Sequence, residues 1–131
     1  MVIVSFLKKA KKRILILVVD DEPTIVDMIQ DFLKEEGFEV FSAGSASQAL
    51  EEMKKTPADA VLLDIKLPDE NGLKFLGKFK KLYPDTPVII LTGSGYDEEM
   101  MQTAIQNGAS GYVSKETDME NMLVALKRQL K

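Results

Sequence analysis

The chain contains neither cysteine nor histidine. Without thiols it forms no disulfide, no thiolate metal site and no cysteine nucleophile. Without imidazole the commonest acid-base device is excluded, and chemistry that passes through phosphohistidine must borrow that histidine from a partner. A basic excess is missing as well. Lysine and arginine total 17 against 21 aspartates and glutamates, a formal net charge of −4, so no positive footprint argues for direct nucleic-acid binding by this domain. Long apolar runs are absent too: the opening MVIVSFL is too short to cross a bilayer, and it precedes the basic KKAKKR, the reverse of a secretory signal. These absences predict a cytoplasmic protein with no transmembrane segment. Residues 1–12 read as an N-terminal extension without an assigned role, and residues 13–131 as one domain.

What is present is an alternation of strand and helix patterns in an ordinary globular composition, 45% hydrophobic and 29% charged. RILILVV reads as a buried strand, and the proline of DDEPT suits the first turn of a helix. In that helix Ile25, Met28, Ile29, Phe32 and Leu33 recur at helical spacing, with Gly37 at the C-terminal cap. FEVFSA is a second strand. Ser45 and Gln48 form a capping box for a helix with Ala46, Ala49, Leu50 and Met53 inward, stopped by Pro57. DAVLLD, the loop IKLPDENG and a helix carrying Leu73, Leu76, Phe79 and Leu82 follow, closed by Tyr83-Pro84. PVIILT is the fourth strand. Asp97 caps the next helix, with Met101, Ala104 and Ile105 inward and Asn107-Gly108 at its end. SGYVS is a short fifth strand, and a last helix from about Asp118 to Leu130 carries Met119, Met122, Leu123 and Leu126. Five strand-helix units in series predict an α/β fold, one parallel sheet covered by helices on both faces.

Four of these strands end in a polar residue: Asp20-Asp21, Asp64, Thr92 and, just past the fifth, Lys115. A buried parallel strand delivers such a side chain to the carboxyl edge of the sheet, where open α/β folds bind ligands. Two unit charges about 4 Å apart repel by roughly 4 kcal/mol at an effective dielectric of 20, so three converging carboxylates require a counter-charge. With oxygen donors and no His or Cys, a hard divalent cation is expected, Mg2+ first and Mn2+ or Ca2+ after it. Lys115 adds a second positive charge and Thr92 a neutral donor, both suited to a phosphoryl oxygen.

The segments VVDDEP, LLDIKLPDENG, ILTGSG and GASGYVSK resemble the receiver domain of two-component response regulators, and the resemblance extends over residues 12–131. It implies the flavodoxin-like strand order 2-1-3-4-5. It further implies that Asp64 accepts a phosphoryl group from a sensor histidine kinase or histidine phosphotransfer protein. Asp20, Asp21 and Asp64 would hold Mg2+, with the main-chain carbonyl of Lys66 completing the protein ligands. Lys115 would bridge to the phosphoryl group, Thr92 would move to hydrogen-bond it, and Tyr112 would change rotamer as the switch aromatic. Lys66 and Ser94 stand where side chains tune access of hydrolytic water. By the same resemblance, the output runs through the face made by the fourth helix, fifth strand and fifth helix. Its recipient would be a downstream protein target or a fused output domain, with a phosphorylation-dependent homodimer as one form. That surface carries Lys115, Glu116, Lys127 and Arg128 and no decisive apolar patch. Such a domain is a switch, not a turnover enzyme on external substrates.

Two positions depart from the family pattern. Glu116 replaces the usual proline after Lys115, which puts the cis peptide found there in question, and Leu67-Pro68 replaces methionine-proline, a mild change of volume. A competing reading is a Mg2+-dependent phosphohydrolase of the haloacid-dehalogenase type, in which DDEPT would supply Asp20 as nucleophile and Glu22 as general acid. No later strand, however, ends in a further acidic pair.

Overall fold

The computed structural model describes residues 13–93, 97–115 and 119–130. Five strands alternate with five helices: β1 (Leu15–Val19), α1 (Pro23–Glu35), β2 (Glu39–Ala43), α2 (Ala46–Lys55), β3 (Ala60–Asp64), α3 (Gly72–Leu82), β4 (Val88–Thr92), α4 (Glu98–Gln106), β5 (Gly111–Ser114) and α5 (Met119–Gln129). The sheet is parallel throughout, in the order β2-β1-β3-β4-β5, as expected. β3 and β4 are buried along their whole length, which is why their sequences are continuous apolar runs and do not alternate.

Each face of the sheet has its own core. Leu17, Val19, Val61, Leu63, Val88 and Ile90 pack beneath α2, α3 and α4. Ile16, Val18, Ala60, Leu62, Ile89 and Leu91 pack beneath α1 and α5. Successive side chains of a strand point to opposite faces, so this division fixes the side on which each strand-end residue begins.

The inward stripes differ from expectation at three positions. Met28, Leu82 and Ile105 are exposed, while Val26 on α1 and Phe75 on α3 take core places. Helical periodicity leaves neighbouring stripes almost equally apolar, and the sheet selects one of them over only part of the helix length. Leu82 and Ile105 both lie in the last turn of their helices, where a stripe drawn from periodicity runs past its support. The caps agree better. Ser45 Oγ accepts from the Gln48 amide at 3.1 Å, and Gln48 Oε1 accepts from the Gly44 amide at 2.7 Å, one residue earlier than in the usual box. Asp97 accepts from the Met100 amide at 3.1 Å. Gly37 has φ +96° after α1, a conformation that side chains with a Cβ rarely adopt.

One tie had no expectation attached. Asp69, in the loop after β3, accepts from the Ala46 amide through Oδ1 and the Ser47 amide through Oδ2, both at 3.0 Å. These are first-turn amides of α2 with no partner inside the helix. The two bonds hold the Asp69 carboxyl below its ordinary range. A group shifted this way stabilises the fold above its unfolded value and ceases to as pH falls through its folded value. Asp69→Ala should therefore lower stability by about 0.5–1 kcal/mol at neutral pH, at the modest end because the carboxylate is exposed. In urea titrations the deficit should shrink below about pH 3.8, the ordinary aspartate value; a deficit independent of pH would contradict this account.

Candidate functional site

Asp20 follows β1 directly, Asp64 and Thr92 end β3 and β4, and Lys115 follows β5. Parallel topology places all four at one edge. Carboxylate oxygens of Asp20, Asp21 and Asp64 lie within 4.8 Å of one another, with Asp20 and Asp64 buried and Asp21 exposed. Lys115 Nζ reaches into this group, 2.8 Å from Asp20 Oδ2 and 3.1 Å from Asp64 Oδ2. Its side chain is only 7% exposed, and its stem helps line an apolar cavity of about 20 Å³ between Ile25 and Ile29 of α1 and Met119 and Met122 of α5. An aliphatic stem buried this way leaves its ammonium at the polar end. Lys115 thus belongs to the pocket and not to the output surface on which the sequence reading placed it; Ile105 on α4 and Val124 on α5 are exposed there.

The electrostatics follow from burial. Desolvation pushes the Asp64 carboxyl above its ordinary value and the Asp20 charge adds to the push, while Lys115 and the Lys66 amide oppose it in part. Burial alone would pull the Lys115 ammonium down, but its contacts with Asp20, Glu22 and Asp64 outweigh that and the net shift is upward. Asp20 accepts the Glu22 amide through Oδ1 at 3.0 Å. Its fully buried Oδ2 has no hydrogen bond, although Lys115 Nζ lies 2.8 Å away. The ammonium is close enough to hold that oxygen as an ion pair. Three carboxylates joined by Glu22 face one lysine. The donor set is all oxygen and short of positive charge, and it fits a hard divalent cation.

The remaining candidates are distributed around this centre. Lys66 is exposed; its amide donates to Asp64 Oδ1 across a long 3.4 Å, and its backbone bridges to Asn71. Thr92 is buried, and its carbonyl accepts from the Lys115 amide at 2.7 Å. Tyr112 pairs with Ile90, two residues before Thr92, and its hydroxyl lies 3.9 Å from Met100 Sδ. By strand alternation Asp64 opposes Leu91 on the α1/α5 side, whereas Thr92 continues the line of Ile90 and Tyr112 on the side of α2, α3 and α4. Ser94 and the Lys115–Glu116 junction lie outside the described residues.

Two contributors escaped the sequence reading. Glu22 contacts Lys115 Nζ at 3.0 Å across 93 positions, and nothing local signals such a pairing. Asn71 is the N-cap of α3, accepting from the Leu73 and Lys74 amides at 2.8 and 3.2 Å; an Asn before a helical run was the available signal.

The model of the response regulator receiver domain family matches residues 16–127. Over 116 residues the chain is 34% identical to the probable transcriptional regulatory protein TcrX of Mycobacterium tuberculosis, covering 88% of this chain and 49% of TcrX. It is 40% identical over 115 residues to a putative response regulator NtrX-like of Rickettsia bellii, covering 86% of this chain and 24% of that protein. The chain therefore spans half or less of these relatives' length. Among solved structures, a CheY-like response regulator receiver domain protein from Methanospirillum hungatei superposes with a TM-score of 0.84 at 33% identity, covering 91% of this chain and 94% of that one. The receiver domain of NtrX from Brucella abortus gives 0.82 at 34% identity, covering 88% and 97%. With the family model, the relatives and the solved structures in agreement, the chain belongs to the response regulator receiver domain family, a signalling module of two-component systems and not a substrate-turnover enzyme.

Proposed function

We propose that residues 13–131 act as a phosphorylation-controlled switch in which Asp64 is the phosphoryl acceptor. The observation that carries this reading is the buried Lys115 ammonium between the Asp20 and Asp64 carboxylates, at the edge where the strand ends converge. In the step itself, an Asp64 oxygen forms a bond to phosphorus as the phosphorus–nitrogen bond of a partner's phosphohistidine breaks. The bonding pair stays on the imidazole, which picks up a proton. The product is an acyl phosphate on Asp64. Asp20, Asp21, Asp64 and the Lys66 main-chain carbonyl would hold a Mg2+ ion, or Mn2+ in its place, which neutralises charge on the transferring group.

Lys115 stays charged and offers its ammonium to the new phosphoryl oxygens, which bring about −1.5 to −2 of charge. The Thr92 hydroxyl moves toward that charge, and Tyr112 repacks into the space it leaves, so the output is a rearranged surface of α4, β5 and α5. Lys66 and Ser94 flank the path of hydrolytic water. The partners this reading calls for are a sensor histidine kinase or histidine phosphotransfer protein and, downstream, a protein target, a fused output domain or a second copy. Family membership sets aside the haloacid-dehalogenase reading, and Glu22, its general acid, is ion-paired with Lys115 instead.

The direct test is incubation with Mg2+ and acetyl phosphate followed by intact mass. Wild type should gain one phosphoryl group and Asp64→Ala none. An adduct on both proteins, or on neither, would remove Asp64 from the role.

A further inference from the structure

Glu22 occupies the N-cap of α1, yet its side chain makes no capping hydrogen bond. Glutamate is a poor residue for that place, since Asp, Asn, Ser and Thr reach the first-turn amides and it does not. Its carboxylate is directed across the edge of the sheet instead, where Oε1 accepts from Lys115 Nζ at 3.0 Å. Lys115 is inside the pocket, with a side chain 7% exposed, whereas that of Glu22 is 60% exposed. Of the three carboxylates around the ammonium, Asp20 and Asp64 lie in the acidic cluster and Glu22 lies at its outer rim. Resting on the phosphoacceptor reading above, we infer that Glu22 is a positioning residue that acts through Lys115: a resting-state tether that competes with the incoming phosphoryl group for the ammonium.

Lys115 must exchange Glu22 for a phosphoryl oxygen when Asp64 is modified, so the tether opposes phosphorylation by the strength of one rim ion pair. A pair whose carboxylate is open to solvent on one side is modest, and its loss corresponds to about a two- to fivefold change in rate. Glu22 could also act without touching Lys115, by repelling an anionic donor through space. Two variants separate these routes. Glu22→Ala removes both charge and reach. Glu22→Asp keeps the charge, shortens the side chain and favours the vacant cap, which draws the carboxylate away from Lys115.

The experiment measures acetyl phosphate labelling rates at subsaturating donor with Mg2+, the thermal midpoint, and Mg2+ affinity. Both variants should label about two- to fivefold faster than wild type, with Mg2+ affinity unchanged and the Glu22→Asp midpoint at or above wild type, so that loosening of the fold cannot account for the gain. In a Lys115→Met background the acceleration should vanish. Acceleration in Glu22→Ala alone, or persisting without Lys115, would assign the effect to long-range repulsion and overturn the tether. Unchanged or slower labelling in both variants would overturn it as well. If wild type itself takes no label, the phosphoacceptor reading falls and the tether with it; if wild type is labelled and the variants do not accelerate, the tether alone falls.

Discussion

Gly72→Ala is expected to lower the free energy of unfolding by about 3 kcal/mol, the upper range for forcing extra volume into a packed site. Gly72 is the first residue of α3 and is buried, and its backbone φ is not positive. Conformational freedom is therefore not what fixes glycine here. The reason is close approach. A Cβ at this position would overlap the Asp64 carbonyl oxygen and lie 2.7 Å from Ile65 Cα and 2.8 Å from Ile65 O. None of these is the end of a flexible side chain, so the strand end itself must shift. The Gly72 amide also donates to the Ile65 carbonyl at 2.6 Å, and this bond is strained by the same movement. Because the displaced backbone carries Asp64, acetyl phosphate labelling should decline more than stability alone predicts. Urea unfolding with parallel labelling at a temperature where the variant remains folded checks both halves. A variant as stable as wild type and normally labelled would mean that the α3 entry is more compliant than the packing indicates.

Lys115→Met should be the second severe change. It keeps the apolar stem beside Ile25, Ile29 and Met122 and removes only the ammonium, leaving Asp20 and Asp64 buried without their cation. Breaking a buried pair from one side leaves an uncompensated charge and costs about 3 kcal/mol. The expected result in EDTA is a stability deficit of that order at neutral pH. Mg2+ should recover part of it, since an ion bound by the native state alone stabilises that state by mass action. Adding Asp20→Asn to Lys115→Met should also recover part, by removing one of the opposed charges. Urea titrations of the single and double variants with and without Mg2+ measure each component. If Lys115→Met equalled wild type in EDTA, the lysine would not be neutralising the cluster.

The strands and the edge residues were legible because buried parallel strands are nearly continuous apolar runs that end abruptly in polarity, as at Val19-Asp20 and Leu63-Asp64; the strand order came from the family resemblance alone. Helix ends were legible where a cap has its own chemistry, as at Ser45, Asp97 and Gly37. The chosen face of each helix was less so. Met28 and Val26 are both apolar and flank the Ile29 stripe on opposite sides of α1, and only the sheet beneath decides which flank is buried. Contacts between distant segments were out of reach for another reason. Asp69 holding the α2 amides and Glu22 holding Lys115 are ordinary surface acids by composition, and their partners are adjacent only after folding. Lys115 was recognised as a site residue but also counted as surface, because a lysine after a strand gives no sign that its stem is buried.

The separation of the two cores by strand parity has a consequence for how such a domain can diversify. Asp20 and Asp64 start on the side of α1 and α5, whereas Thr92 and Tyr112 start on the side of α2, α3 and α4. The sheet is a partition one backbone thick, crossed at its edge by the rung from the Lys115 amide to the Thr92 carbonyl. Substitutions on the outer surface of α4 can therefore accumulate without altering a single contact in the acidic cluster. Changes confined to the outer face of α4 and changes in the acidic cluster thus fall on opposite sides of that partition, whereas changes on α5 share a side with the cluster.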